Sequence, residues 1–504
     1  MRQVACFATN GYSEFYRKED TKMKNKGLFG RILCFILVCV MLLGLVACGG
    51  SEEDGEDGSS VSPKLDSEAM DVLGSMPEAD MGGREMSLLT MVGYGSQFEI
   101  EGYTGDALND NRYERNMSFQ EKYNCSIYVH SDDNMVNLLI NNTLAGSVEF
   151  DMIFPHATNS MVKLLTSDVL TDLADVDLLS LESEWYNQSQ RESYVTNGKL
   201  YLLANDASLT GQGFFALVYN RNLYNQYGFT ESIADKVKDG SWTMEAMRSL
   251  LKEVSGVTND ESNQTYAFAI NDNATDRWLY AMGQTILTRK NDGTLGVGLT
   301  QKGLTKASEA FYNLIFNSGA VLVDASFNDG LADSNMYHTF KNGKAMFLTW
   351  DIGSTYGHLH DITFQRGYVP LPKLDENQDD YIVLCGSGFW GIPKLTENLE
   401  HSAIWMEYNA RWGCVSFKPL FFEKILNGRL ADYAEDAEML ELMHSKKFAD
   451  IGFTLDSEKF AKNMLRDVVM ANQSAFGASV WVKSNENKLQ ALADLANTLG
   501  KTSE

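Results

Sequence analysis

The chain has 504 residues, 44% of them hydrophobic, and a formal net charge of −26 at pH 7. Such an acidic balance repels nucleic acids and anionic lipid surfaces, which argues against either as a binding partner. The length is too great for one small core and indicates two lobes.

An apolar run near the N-terminus predicts an export signal. It covers residues 32–47, follows three basic residues and is shorter than the about 20 residues that a membrane-spanning helix needs. Its end, residues 45–48 (LVAC), resembles the lipobox of bacterial lipoproteins. The resemblance implies cleavage before Cys48 and acylation of its thiol, with the protein on the extracellular face of the bacterial cytoplasmic membrane. A short membrane helix is the alternative, and residues 1–22 lack signal character, which makes Met23 a candidate start.

The stretch after Cys48 is acidic, rich in Gly and Ser, and nearly free of apolar residues. It cannot bury a core, so residues 48–85 are predicted to form a disordered tether. A flexible coil of that length spans roughly 30–35 Å. Three cysteines remain beyond it, Cys125, Cys385 and Cys414, and their wide spacing predicts buried free thiols rather than disulfides or a metal site.

From residue 86 onward, short apolar strands alternate with amphipathic helices. This βαβαβ order predicts a parallel sheet with helices on its faces. Ligands of such sheets bind beyond the carboxyl ends of the strands. The first predicted elements are a strand at 86–93, a helix at 109–124, a strand at 125–130, a helix at 134–146 and a strand at 150–155.

A second set of elements predicts a second α/β lobe. Thr243 is a natural N-cap for its clearest helix, in which Met244, Met247, Leu251 and Val254 lie on one stripe. The remainder from about residue 397 is mainly helical in pattern. The predicted elements of this set are strands at 214–220, 344–350 and 382–385 and helices at 221–228 and 243–256.

The motifs that mark common enzyme classes are missing from the sequence. Residues 386–391 (GSGFWG) match GxGxxG, but dinucleotide binding also needs a helix to follow, and Pro393 disfavours one. P-loop, HExxH, GxSxG and EF-hand patterns are not found. We therefore predict no cofactor, no metal and no catalytic residue.

Six segments resemble, in order, family 1 extracellular solute-binding proteins, the sugar-type binding lipoproteins of ABC importers in Firmicutes. The resemblance covers residues 86–395, and the region beyond matches only as a helical pattern. Met244 stands where that family has an aromatic residue, which leaves the subgroup and the ligand undetermined. The segments are residues 109–124, 150–173, 198–229, 241–255, 340–354 (FKNGKAMFLTWDIGS) and 368–394 (YVPLPKLDENQDDYIVLCGSGFWGIPK).

The resemblance implies a two-lobed, type II periplasmic-binding-protein-like fold that closes by a hinge around its ligand. The ligand would be a carbohydrate. The receptor would be a monomer and not an enzyme, and it would deliver the carbohydrate to ABC permease subunits. The implied domains are a leader at 1–47, the tether at 48–85, lobe 1 at 86–205 plus about 386–430, and lobe 2 at 206–385 plus about 431–504.

Aromatic rings suit the apolar faces of sugars, and charged or amide side chains suit their hydroxyls. In the resemblance, Trp350 falls on the sugar-stacking tryptophan, and Asp351 follows it at the end of a strand. For the other aromatic residues, core packing is the competing interpretation. The remaining ligand-binding candidates are Tyr94, Glu101, Tyr103, His156, Asp206, Trp278, Phe389 and Trp390.

Two other functions fit the same sequence. A surface-anchored glycoside hydrolase would need two cleft carboxylates about 5–9.5 Å apart. A glycan adhesin or a sensor without transport could use the same scaffold. The neighbouring genes would separate these from an importer component, because an importer needs permease genes.

Overall fold

The structure is a computed structural model that describes residues 65–501, except 158–159, 209–212, 255–263, 325–333, 355–357, 360–361, 386–387, 427–433, 472 and 475. The predicted signal peptide, Cys48 and the first part of the predicted tether lie outside the described residues. The strands are β1 (Arg84–Thr90), β2 (Cys125–Ser131), β3 (Met152–Phe154), β4 (Phe215–Asn220), β5 (Tyr266–Asn271), β6 (Leu287–Arg289), β7 (Leu295–Val297), β8 (Val321–Asp324), β9 (Ala345–Asp351), β10 (Arg366–Val369), β11 (Val383–Leu384) and β12 (Lys447–Phe448).

Helices cover both sheets, in agreement with the predicted α/β class. They are α1 (Ser67–Gly74), α2 (Ala107–Tyr123), α3 (Met135–Ala145), α4 (Met161–Thr166), α5 (Gln188–Tyr194), α6 (Arg221–Gln226), α7 (Ile233–Lys238), α8 (Met244–Glu253), α9 (Thr275–Ala281), α10 (Gln301–Phe316), α11 (Asn335–Lys341), α12 (Leu399–Trp412), α13 (Lys418–Leu426), α14 (Ala434–Ser445), α15 (Ile451–Leu455) and α16 (Ala478–Thr498).

Lobe 1, as the term is used below, is built around the parallel sheet β2-β1-β3. In the register, Leu88 of β1 pairs with Val129 of β2 and Met152 of β3. Further along, Ile153 pairs with Gly391, and Trp390 pairs with Leu203, so a late segment of the chain returns to extend this sheet. The predicted parallel βαβαβ unit is confirmed.

Lobe 2 is built around a five-stranded mixed sheet in the order β10-β4-β9-β5-β8. The strands β8, β5 and β9 run parallel, whereas β4 runs antiparallel to β9 and β10. Because of this reversal, β4 begins where β9 ends: Phe215 pairs with Asp351. The sequence predicted β4 and β9 but not β5, β8 or β10.

Local signals fixed the ends of several helices. The Thr243 hydroxyl accepts a hydrogen bond from the backbone N–H of Ala246, at 3.3 Å, and so caps α8 as predicted. Gly146 ends α3 in the left-handed conformation, with φ of +68°. The predicted apolar stripe of α8 is fully buried.

Connections between the regions of the two sheets meet at a bridge between Phe214 and Cys385. The strand β11, which ends at Leu384, forms a small parallel pair with β12. Beyond them, α14 packs on β10, and α16 packs on α10 and β7 of lobe 2. The helix α15 packs on α4 of lobe 1 as well as on α16, so it forms part of the junction between the lobes.

The second half of the predicted tether is folded, and the prediction of disorder is wrong for residues 65–85. The helix α1 packs on α12, and Leu73, Met76 and Met81 are buried in the core of lobe 1. Arg411 of α12 donates a hydrogen bond to the carbonyl of Val72, at 2.9 Å. The average composition of residues 49–85 is acidic and polar, so it did not reveal the few apolar residues that pack on lobe 1.

The segment that ends at Gly391 does not open a nucleotide-binding helix, which agrees with the prediction from Pro393. Gly391 exchanges backbone hydrogen bonds with Ile153, and Trp390 does so with Leu203. No helix follows until α12. A Cβ on Gly391 would lie 2.8 Å from a methyl carbon of Leu202, so the glycine serves close packing between strands.

The three cysteines in the described part of the chain are free thiols, as predicted. Cys414 is buried, whereas Cys125 and Cys385 are only partly buried. Burial raises the pKa of each thiol to about 11, so none is poised to react as a thiolate.

Candidate functional site

The carboxyl ends of the strands in both lobes meet at one junction. In lobe 1, Tyr94 follows β1 and His156 follows β3. In lobe 2, Asp351 ends β9, and a short 3-10 turn after β5 leads into α9, which carries Arg277. Open α/β sheets bind ligands at these ends, so this junction is the candidate site.

Lobe 1 contributes a pair of rings. The rings of Tyr94 and His156 lie with centroids 5.1 Å apart and planes tilted by 34°. Burial, aided by the charges of Arg277 and Lys462, lowers the pKa of the His156 imidazole to about 3. The imidazole is therefore neutral at physiological pH. The two cations that act on its pKa both belong to lobe 2.

Arg277 occupies the lobe 2 side of the junction. Its guanidinium forms an ion pair with Asp276. The guanidinium carbon lies 4.6 Å from the ring centroid of Phe215 and 5.6 Å from that of Phe453. Cation–π contacts of this kind hold a planar guanidinium in one orientation.

Asp351 is partly buried at the end of β9. Burial raises the pKa of its carboxyl to about 6, against the opposing effect of Arg277 and of hydrogen bonds from the backbone of Gly353 and Ser354. The group is thus a carboxylate at pH 7 that is held in a desolvated position. Such groups are typical of binding and active sites.

Lys462 reaches the same junction from the C-terminal part of the chain. Its ammonium lies 4.1 Å above the ring centroid of Phe453. Burial lowers the pKa of this ammonium to about 8, although Asp456 and Asp276 oppose the shift. Lys462, Arg277 and His156 therefore lie within electrostatic reach of one another.

Trp350 lies in the interior of lobe 2. Its ring stacks on Tyr337 of α11, with centroids 5.5 Å apart, and meets His358 edge-on at 5.9 Å. The side chain has no exposed surface in this conformation. Its indole N–H has no hydrogen-bond partner among the described residues.

The other predicted tryptophans and Phe389 are also buried. Trp278 packs between Phe268 and Phe311 in lobe 2. Trp390 packs edge-on against Phe98 and Phe154 in lobe 1, which places it under the sheet end that carries His156.

Phe389 contacts Tyr194 of α5, with ring centroids 5.2 Å apart. Tyr194 in turn forms a hydrogen bond with Thr454 of α15. This chain of contacts joins the late segment of the lobe 1 sheet to the junction helix α15.

Glu101 and Tyr103 lie on the loop between β1 and α2. Both are exposed, Tyr103 by 64%. The Tyr103 ring packs edge-on against Tyr113, with centroids 4.8 Å apart, and its hydroxyl donates a hydrogen bond to Glu114, at 3.4 Å. Tyr103 is thus an exposed aromatic ring that packs on the partly buried Tyr113 of α2.

Asp206 lies at the connection between the lobes, within an ion cluster. Its carboxylate is 3.1 Å from His444 Nε2, 3.3 Å from Lys447 Nζ and 4.0 Å from Lys418 Nζ. Burial alone would raise the pKa of Asp206, but Lys447, His444 and Lys418 together lower it well below its ordinary range. These three partners lie on α13, α14 and β12.

The structure thus brings together three of the ten predicted ligand-binding residues, Tyr94, His156 and Asp351. Sequence reasoning missed Arg277, Phe215, Phe453 and Lys462. Phe215 had one usable signal, because it lies at the start of a predicted strand, whereas Arg277 lies in α9 after a strand, β5, that was not predicted. Lys462 and Phe453 had none, because their position depends on how the C-terminal region folds back on the junction.

No helix in the described part of the chain is long and apolar enough to cross a membrane. Within the same residues, no group of three or more His, Cys, Asp or Glu side chains is placed to hold a metal ion.

Comparison with known proteins identifies the fold of the chain but does not show its family. No protein-family model matches the chain, and no curated protein matches it. Solved structures do match over most of its length. A sugar transporter from Rhizobium etli, in an open conformation, is 12% identical, with a TM-score of 0.57, over 82% of this chain and 98% of that one.

Two further structures show the same similarity. An ABC substrate-binding protein from Listeria monocytogenes, in complex with cycloalternan, is 13% identical, with a TM-score of 0.51, over 81% of this chain and 98% of that one. UgpB from Mycobacterium tuberculosis, in complex with glycerophosphocholine, is 15% identical, with a TM-score of 0.52, over 82% and 98%. The chain therefore has the two-lobed periplasmic-binding-protein-like fold.

Proposed function

We propose that this protein is the extracellular solute-binding component of an ABC importer, which captures a carbohydrate between its lobes and delivers it to the permease. The observation that carries the proposal is the meeting of Tyr94 and His156 from lobe 1 with Arg277 and Asp351 from lobe 2. A ligand at this junction contacts both lobes at once.

The chemistry of the junction suits a polyhydroxylated solute. Arg277 donates hydrogen bonds and Asp351 accepts them, and a sugar hydroxyl does both. The rings of Tyr94 and Phe215 offer apolar faces for the C–H groups of a sugar. In this proposal, Trp350, Trp278, Phe389 and Trp390 support the walls of the site from within the lobes.

The relatives of this fold support the ligand class. The Rhizobium etli neighbour is a sugar transporter, and the Listeria monocytogenes neighbour is in complex with cycloalternan. The exposed ring of Tyr103, with Glu101 on the same loop, would extend the site for a longer saccharide. Asp206 would act in the connection between the lobes rather than on the ligand.

The proposed cycle needs only differential binding. A ligand that binds the closed arrangement of the lobes better than the open one shifts the population toward closure. The permease would then recognise the closed form. No covalent step is required.

The proposed anchor is lipid on Cys48. Since α1 is folded onto lobe 1, residues 49–64 would form the tether between Cys48 and the folded part of the chain. Such a short tether keeps the protein at high effective concentration beside a membrane permease. Release of the protein by a lipoprotein-specific lipase, and its loss from membranes in a Cys48→Ser variant, test this part.

Binding is tested with the exported chain carrying Cys48→Ser, screened by thermal shift against monosaccharides, oligosaccharides and polyols. A ligand that binds only the folded state raises the melting temperature in proportion to its concentration over Kd. We expect at least one saccharide to do so and to give a saturable calorimetric titration. Absence of any binder across the panel would overturn the proposal.

The glycoside hydrolase alternative is kept because Asp276 and Asp351 both flank Arg277. Hydrolysis requires one carboxylic acid and one carboxylate on opposite sides of the glycosidic bond. The same preparation is therefore incubated with chromogenic glycosides and with the saccharide found in the screen. We expect no product, and turnover that disappears in Asp351→Asn would favour the hydrolase.

A further inference from the structure

The backbone beneath Lys462 is held by a carboxylate that is fully occupied there. Asp456 accepts hydrogen bonds from the backbone N–H groups of Phe460, Ala461 and Lys462, at 3.1, 2.9 and 2.9 Å. Asp456 thus fixes the turn and makes no hydrogen bond to the Lys462 ammonium, although its charge raises the pKa of that ammonium.

The Lys462 side chain extends from this turn over Phe453. Lys462 is only 8% exposed. Within the described residues, its ammonium makes no hydrogen bond and no ion pair, and its recorded contact is with the Phe453 ring at 4.1 Å. A lysine buried to this extent ordinarily has a carboxylate partner.

Two cations, Arg277 and Lys462, act on His156 from lobe 2, among the carboxylates of Asp276, Asp351 and Asp456. Asp276, the other acidic side chain near Lys462, is in an ion pair with Arg277. Burial lowers the pKa of His156 most, and the charges of Arg277 and Lys462 each lower it further. Lobe 2 thus presents two cations to lobe 1 in a protein whose total charge is −26.

The contact with Phe453 does not by itself explain a buried ammonium. An apolar side chain would pack on the same ring without the loss of hydration that burial imposes on the ammonium. A neutral hydroxyl of a ligand would supply one acceptor and no charge. A carboxylate, sulfate or phosphate would supply the missing acceptors and an opposite charge in direct contact with the ammonium.

We infer that Lys462, beside Arg277, binds a negatively charged substituent of the ligand, so that the site selects an acidic saccharide over its neutral counterpart. The inference rests on the proposed function, since it assigns a ligand class to the same junction. It goes beyond that function because a neutral sugar would not need an ammonium that makes no hydrogen bond within the described residues.

The test compares matched ligands on the same full exported chain. Trigalacturonic acid is titrated against galactotriose, and glucose 6-phosphate and glucose 6-sulfate against glucose. We expect the anionic member of at least one pair to bind about 10-fold or more tightly than the neutral member. The pair in which the preference is found distinguishes a carboxylate from a phosphate or a sulfate.

The variant Lys462→Met is then titrated with the same pair. We expect the anionic member to lose more affinity than the neutral member, so that the preference disappears, and we expect Lys462→Arg to retain it. The variant should melt at or above the wild-type temperature, because it replaces a desolvated charge by an apolar side chain of similar length. Lys488→Met is the matched control, since Lys488 lies 5.2 Å over the ring of Phe460 but is exposed and paired with Glu458.

The outcomes distinguish a failure of the inference about Lys462 from a failure of the proposed function. If neutral saccharides bind and no anionic partner binds more tightly, the inference is wrong and the proposed function stands. If the preference survives in Lys462→Met, Lys462 is not the group that recognises the anion. If no saccharide of either kind binds, the proposed function falls and the inference falls with it.

Discussion

The imidazole of His156, at the end of a lobe 1 strand, lies in the field of the guanidinium of Arg277, on a lobe 2 helix. The two residues are 121 positions apart in the chain. The pKa of a lobe 1 residue therefore depends on the charge of a lobe 2 residue. It also offers a direct reporter of the relation between the lobes.

The first prediction concerns this pair. Because Arg277 helps to lower the pKa of His156, the variant Arg277→Met should begin to protonate the imidazole at a higher pH than the wild type. NMR titration of the histidine ring protons, assigned with a His156→Gln variant, measures the shift. Arg248→Met, which removes an arginine paired with Glu245 on the surface, should leave the titration unchanged. An unchanged titration in Arg277→Met would mean that the lobes do not approach each other in solution as they do here.

The second prediction concerns Asp351. Its pKa is raised to about 6 in the folded state, from 3.8 for the free group, so its ionisation destabilises the folded protein as the pH rises from about 4 to 6. Asp351→Asn keeps an acceptor for the backbone and should therefore stabilise the unliganded protein by about 1–2 kcal/mol at pH 7.5, allowing for its partial exposure.

The stabilisation should shrink when urea unfolding is repeated at pH 4.5, because the wild-type carboxyl is then protonated in the folded state. The same variant should bind the ligand more weakly. Asp133→Asn, which changes an exposed carboxylate, should do neither. Stabilisation that is independent of pH would exclude buried charge as its cause.

The third prediction concerns the ion cluster at the connection. The pKa of Asp206 is lowered in the folded state, so its contribution is present above its ordinary pKa and is lost as the pH falls through the folded value. Asp206→Asn leaves Lys447 buried without its anion and should destabilise the protein by about 2–4 kcal/mol at neutral pH. Asp168→Asn breaks an exposed pair with Lys394 and should change stability by less than about 1 kcal/mol. Equal effects of the two substitutions in urea unfolding at pH 7 would contradict this account.

The fourth prediction concerns the folded end of the tether. Met76 is buried against lobe 1, whereas Met70, on the same segment, is 61% exposed. Met76→Ala should destabilise the protein by about 2–4 kcal/mol. Met70→Ala should change the free energy of unfolding by less than about 0.5 kcal/mol. If both variants unfold like the wild type, residues 65–83 do not pack on the lobe in solution.

The sequence predicted the strands and helices whose periodicity is strong, such as β1, β9 and α8, and it predicted where parallel strands end. It could not tell which face of β9 meets the core. Successive side chains of a strand point to opposite faces, so Trp350 and Asp351 cannot share one environment. The structure buries Trp350 on Tyr337 and places Asp351 near Arg277.

The missed residues depend on long-range packing. Arg277 belongs to a helix whose preceding strand, β5, was not predicted. Lys462 comes to the junction only because the C-terminal region returns to it through β12, which pairs with β11, and through α15, which packs on α4 and α16. No local sequence pattern predicts this long-range packing.

The central claim is that one ligand is held by both lobes. Calorimetric titration of the saccharide found in the screen into His156→Ala, from lobe 1, and Arg277→Met, from lobe 2, tests it most directly. We predict that each variant folds and that each binds the saccharide at least about 10-fold more weakly than the wild type, a loss of about 1.4 kcal/mol. Wild-type affinity in either variant would contradict a site shared between the lobes.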